Sequence, residues 1–162
     1  MRVRQIDLLL EGAGRRVGVT NQRPLRRLAA VTCMDVRIDV LGVLGLEPGE
    51  ANILRNAGGR VTEDVLRSLA VASHVLGVNA VVVMHHTGCG LEGESDASLQ
   101  ARTGADLRFL PIHDHGEALR EDVGLLASTN YLGPLTTVAG WLYELETGRV
   151  AEIARWERSK GR

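Results

Sequence analysis

Ala80-Val81-Val82-Val83-Met84-His85-His86-Thr87-Gly88-Cys89-Gly90 is the stretch that decides the fold. Its first half is a continuous apolar, β-branched run, the pattern of a parallel strand covered on both faces. Its second half turns abruptly polar and glycine-flanked. The same transition occurs at Leu28-Ala29-Ala30-Val31-Thr32, which leads into Cys33-Met34-Asp35-Val36-Arg37. Two buried strands thus end in reactive side chains, and open α/β sheets place their ligand sites at the carboxyl ends of strands.

Cys33 and Cys89 are the only two cysteines. With His86 they form a borderline-soft set of two thiolates and one imidazole, suited to Zn²⁺. Three protein ligands leave a tetrahedral ion one open position, as in catalytic sites. Two unrelated buried thiols and a Cys33–Cys89 disulfide are the rival readings. The disulfide is disfavoured because nothing marks the chain as secreted. If the chain stays extended past the strand, Cys33, Asp35 and Arg37 share one face, so a carboxylate and a guanidinium stand beside the metal. His85 points to the opposite face from His86. His113-Asp114-His115 is a weaker metal candidate, since three adjacent residues do not easily face one ion. Asp114 reads better as a helix cap.

Outward from these motifs, strands and helices alternate. The first strand covers about Leu28 to Cys33, a short helix Asp39 to Leu44, a second strand Ala51 to Leu54 and a third about Ala80 to His85. Thr62 reads as an N-cap, with Glu63 and Asp64 in the first turn. Val65, Leu69, Ala72 and Leu76 then repeat at helical spacing, and Gly77 closes the helix. Ser95 to Arg102 and Glu117 to Ser128 are expected helices, and Leu107 to Pro111 carries no decisive pattern. Thr136 to Leu145 reads as a strand, Glu146-Thr147-Gly148 as a turn and Arg149 to Ile153 as a strand. Before the first core strand, Val3 to Glu11 can form a short helix. The expectation is an α/β fold with a mainly parallel central sheet flanked by helices. The chain reads as one domain over residues 1–162, with residues 1–27 as an N-terminal arm.

The chain has 162 residues, enough to bury a real core, and a formal net charge of −1. Balanced charge argues against nucleic acid as a partner. No apolar run is long enough to span a bilayer. Met1 to Glu11 is too charged for a secretory signal, and the early arginines lack the serine-rich, acid-poor context of a transit peptide. A cytoplasmic location is expected, where both thiols stay reduced.

Taken together, Cys33-Met34-Asp35-Val36-Arg37, Arg55-Asn56-Ala57-Gly58-Gly59, His86-Thr87-Gly88-Cys89-Gly90 and Val138-Ala139-Gly140-Trp141-Leu142-Tyr143-Glu144-Leu145-Glu146-Thr147-Gly148 resemble the β-class carbonic anhydrases. The resemblance runs from about Leu28 to Val150 and is nearest to short, actinobacterial-type members. It implies one zinc per chain on Cys33, His86 and Cys89, an Asp35–Arg37 dyad, and an antiparallel strand closing the sheet. It also implies reversible hydration of carbon dioxide to bicarbonate by a zinc-bound hydroxide, in a homodimer or homotetramer. Plant-type members line the pocket with aromatic residues and a glutamine. This chain has one Phe (Phe109) and two Tyr (Tyr131, Tyr143), none assignable to that pocket. Hydrolysis of carbonyl sulfide or carbon disulfide by the same zinc is therefore an alternative, as is a non-catalytic zinc protein of this fold.

Two thiolates and a neutral imidazole cancel the formal charge of the ion, so the dyad must compensate. Arg37 is expected to keep Asp35 ionised and turned from the metal. If that pair breaks, Asp35 becomes the fourth ligand of an inactive state. Gly58 and Gly59 are expected to let the backbone approach a small apolar substrate. Arg55 is expected to tie its loop to neighbouring carboxylates. The apolar residues of the arm, Ile6, Leu8, Leu9, Leu10, Val17 and Val19, call for cover by a second subunit.

Overall fold

The computed structural model describes residues 6, 9, 13–14 and 18–159. The helix expected over Val3 to Glu11 and most of the arm lie outside the described residues. Five strands form one sheet: β1 (Leu28–Cys33), β2 (Ala51–Asn56), β3 (Ala80–His86), β4 (Thr137–Tyr143) and β5 (Val150–Glu157), in the order β2-β1-β3-β4-β5. β2, β1, β3 and β4 run parallel, and β5 returns antiparallel on β4. Among the described residues from 18 to 159 the α-helices are α1 (Val40–Leu44), α2 (Glu63–His74), α3 (Asp96–Thr103) and α4 (His115–Ser128).

Side-chain chemistry sets the helix starts. Asp39, Thr62, Ser95 and Asp114 are the N-caps, each accepting from the backbone N–H three residues on. α4 begins at His115, two residues before the expected Glu117, because the Asp114 carboxylate takes the Glu117 N–H at 2.7 Å. α2 ends at His74, and Val78 N–H then bonds back to the Ala72 carbonyl across Gly77. β5 runs four residues past the expected Ile153. It pairs along the whole of β4, and its charges pair with one another on the open face, Arg155 with Glu152 at 2.6 Å and with Glu157 at 3.1 Å. Leu107 to Pro111 forms no strand, and the neighbouring Ile112 makes a single parallel bridge to Glu92.

The period of two along β3 divides the core. Val81 and Val83 face the cluster that α2 and α4 close with Val65, Leu69, Leu119 and Val123. Val82 and Met84 face a second cluster, with Ile38, Leu91, Ile112 and both cysteines. Leu69 and Leu119 are fully buried, each contributing about 1.5–3 kcal/mol relative to exposure. The parallel register sets Cys33, at the end of β1, level with Asn56 at the end of β2 and one residue beyond the Thr32–Met84 pairing with β3.

Candidate metal centre

Cys33 ends β1, His86 ends β3, and Cys89 follows in the turn after β3. All three are buried, and one ligand atom from each lies within 4.8 Å of the others. The two sulfurs are 3.9 Å apart and both thiols are free. A disulfide would need about 2.05 Å, whereas two sulfurs bound at about 2.3 Å to one tetrahedral ion stand about 3.8 Å apart. His86 Nδ1 lies 3.0 Å from the Thr87 carbonyl, to which it donates. That bond leaves the lone pair on Nε2, which is buried without a hydrogen-bond partner. A fixed tautomer with an orphaned nitrogen facing two thiols is the donor arrangement of a metal-ligating histidine. Among the described residues this is the one such cluster, and it could hold a metal ion.

Burial sets the protonation of this set. It holds the His86 imidazole below its ordinary range, so the ring is neutral. It also pushes the Cys89 thiol up to about 11, reinforced by the adjacent Cys33. A cation entering here must displace a proton from sulfur, which couples metal uptake to pH.

Asp35 and Arg37 flank the cluster. Asp35 Oδ1 accepts from the Arg37 backbone N–H and from Nε, both at 2.9 Å, and Oδ2 accepts from Nη2 at 2.6 Å. These bonds hold the Asp35 carboxyl well below the usual carboxylate range. Asp35 Oδ2 stands 3.8 Å from His86 Nε2. The Arg37 Nη2 group also donates to the Gly88 carbonyl at 2.8 Å, joining the dyad to the turn that carries Cys89.

A cavity of about 260 Å³ opens over the cysteines, lined by Cys33, Met34, Asp35, Ala57, Gly58, Cys89, Gly90 and Leu91. Gly58 has φ +76, and a Cβ there would meet Leu91 Cδ1 at 2.8 Å. Gly59 does not line the cavity. At φ +67 it packs on β1, where a Cβ would lie 2.8 Å from the Cys33 backbone nitrogen. Tyr143 packs on the cluster that contains the cysteines but does not line the cavity.

Arg55 departs from expectation. Its guanidinium bonds carbonyls rather than carboxylates: Cys33 at 2.9 Å, Ile38 at 3.3 Å and Asp35 at 2.6 Å. β2 lies beside β1 with Arg55 opposite Thr32, so the side chain reaches over the end of β1 and gathers the loop that follows it. Two pairings had no local signal. Arg60 and Asp122, both buried, pair at 2.8 Å, and Asp122 also accepts from the Val61 N–H at 3.3 Å. Glu92 pairs with His115. His85, on the opposite face of β3 from His86, lies 3.3 Å from Asp122 Oδ2.

A family model described as carbonic anhydrase matches residues 28–106. The chain is 33% identical over 136 residues to beta-carbonic anhydrase 1 of Mycobacterium tuberculosis, covering 80% of this chain and 83% of that protein. It is 29% identical over 163 residues to a carbon disulfide hydrolase of Acidithiobacillus thiooxidans, covering 84% of this chain and 80% of that one. The crystal structure of a carbonic anhydrase from Streptococcus mutans superposes with a TM-score of 0.82 at 36% identity, covering 95% of this chain and all of that one. Both the fold and the residues that meet at the ends of β1 and β3 are accounted for by one conclusion, that this chain belongs to the β-carbonic anhydrase family.

Proposed function

We propose that this chain is a zinc enzyme that hydrates carbon dioxide reversibly to bicarbonate. The observation that carries the reading is the Cys33–His86–Cys89 cluster with an Arg37-locked Asp35 at the edge of a small apolar cavity. A zinc ion on these three side chains would act as a Lewis acid and lower the pKa of a bound water. Asp35, ionised by Arg37, accepts a hydrogen bond from the attacking water and orients its lone pair toward the substrate carbon. Arg37 occupies both carboxylate oxygens and so holds Asp35 back from the fourth ligand position. Met34, Ala57, Gly58 and Leu91 offer the substrate an apolar wall, which suits a linear molecule without hydrogen-bond donors. Gly58 keeps that wall thin, and Gly59 lets it close on β1.

The same wall favours a second reading, hydrolysis of carbonyl sulfide or carbon disulfide, the latter being the activity named for the Acidithiobacillus relative. A non-catalytic zinc protein has no need of the dyad. Stopped-flow assays of the purified chain with carbon dioxide, carbonyl sulfide and carbon disulfide test the proposal. Rapid turnover of carbon dioxide supports it, turnover of a sulfur analogue alone favours the second reading, and none with any substrate refutes both.

The chain is also proposed to work as a homodimer or a multiple of one, in the cytoplasm. Leu25 and Val36 are 71% and 97% exposed, and Val36 sits between the two dyad residues, so apolar surface borders the site. Among the described residues no helix is long and apolar enough to cross a membrane.

A further inference from the structure

The turn that carries Cys89 is tied at both ends. Before it, the Thr87 N–H bonds the Tyr143 carbonyl at 3.0 Å, and after it the Leu91 carbonyl accepts from the Ile112 N–H at 3.0 Å. Its middle residue, Gly88, has two hydrogen bonds among the described residues. Its carbonyl accepts from Arg37 at 2.8 Å, and its N–H donates to Glu92 Oε1 at 3.1 Å. Gly88 is exposed and has φ +67, so no side chain or burial limits rotation of the peptide units on either side of it.

Glu92 is itself held. Its carboxylate pairs with Nε2 of His115, the first residue of α4, and its backbone N–H bonds the Cys89 carbonyl at 3.0 Å. The His115 ring stands edge-on to His85, centroids 5.7 Å apart, and His85 is the strand neighbour of His86. α4 is anchored in the core by Ala118, Leu119 and Val123, so the Glu92 carboxylate is fixed from a rigid element.

We propose that Glu92, held by His115, is a positioning residue for the metal centre. It locks the Gly88 peptide so that one turn presents Cys89 Sγ to the ion and the Gly88 carbonyl to Arg37. The proposal rests on the zinc reading above and assigns a supporting role to residues outside the ligand set and the dyad. Groups that orient metal ligands typically change metal affinity 10- to 100-fold when removed.

The test uses the full chain with Glu92→Ala, Glu92→Gln or His115→Ala. Zinc affinity is measured by competition with a chromophoric chelator, thiolate-to-metal absorption on the cobalt-substituted proteins, and stability by thermal melting. Glu92→Ala is expected to weaken zinc binding about tenfold or more and to shift the cobalt band. Glu92→Gln keeps an acceptor oxygen for the Gly88 N–H and should bind zinc within about threefold of the parent chain, since the acceptor is what the role requires. His115→Ala should weaken binding in the same direction. Parent-like affinity and spectrum in either alanine variant overturn the proposal. So does an equal loss in Glu92→Ala and Glu92→Gln that tracks a fall in melting temperature, since that is a merely structural role. A parent chain that binds no zinc overturns the zinc reading and the proposal with it, whereas tight parent binding with unaffected variants overturns only the proposal.

Discussion

Gly59→Ala tests how tightly the Ala57–Gly59 turn is pressed against the strand that carries Cys33. Gly59 has φ +67, and an added Cβ would lie 2.8 Å from Cys33 N, 2.9 Å from Thr32 C and 3.0 Å from Thr32 Cα. All three atoms are backbone of β1, where Thr32 is paired with both β2 and β3 and Cys33 with β2, so none can swing aside as a side-chain tip would. The conformational cost of a left-handed alanine is about 1–2 kcal/mol, and forcing backbone apart in a packed site adds about 1–3 kcal/mol. The sum, about 2–5 kcal/mol, lowers Tm by roughly 4–20 °C at 2–4 °C per kcal/mol for a chain of this size. Gly77→Ala is the control, with φ +79 and nothing within 4 Å of its Cβ, so it carries the conformational cost alone. Melting both variants at one protein concentration, with zinc affinity measured in parallel, isolates the contact. Gly59→Ala should melt well below Gly77→Ala and bind zinc more weakly, because the displaced backbone carries Cys33. Equal melting temperatures and unchanged affinity would refute the argument.

Asp35→Asn should retain zinc and lose activity by about 10²-fold or more, since a neutral amide is a poor acceptor for the attacking water. Full turnover in that variant, measured by stopped flow, would remove Asp35 from the mechanism. Asp122→Ala leaves the buried Arg60 guanidinium without its main partner and should cost about 3–5 kcal/mol, read by urea denaturation; a loss under 1 kcal/mol would show that water takes the place of the carboxylate. Light scattering at micromolar protein should give a dimer or a multiple of it, with an interface of about 2,000 Å² or more, and a fully active monomer would contradict this. Deleting the first twenty residues should weaken association before it affects zinc content.

The parts legible in the sequence are those with local signals. Continuous apolar runs mark β1 and β3, the cysteines and His86 stand where those runs end, and capping side chains mark the helix starts. Asp35 and Arg37 are two residues apart, and their bidentate pairing is a short-range event. The parts that were not legible depend on pairings across the fold. Arg60 and Asp122 are 62 residues apart and Glu92 and His115 are 23 apart, and a charged residue in sequence does not name its partner. In sequence, Arg55 reads as a partner for carboxylates because a guanidinium usually takes them. The carbonyls of the loop after β1 claim it instead, since the parallel register of β2 on β1 places it there. The end of β5 lacks a local signal for a related reason: its charged residues resemble a loop until they pair on the open face of an edge strand.

Zinc K-edge X-ray absorption on the purified chain tests the central claim most directly. The account predicts one zinc per chain with two sulfurs at about 2.3 Å, from Cys33 and Cys89, and an imidazole nitrogen at about 2.0–2.1 Å from His86. Cys89→Ser should remove one sulfur from that shell along with most of the metal. A zinc shell without sulfur, or a chain that carries no zinc after purification without chelators, would contradict it.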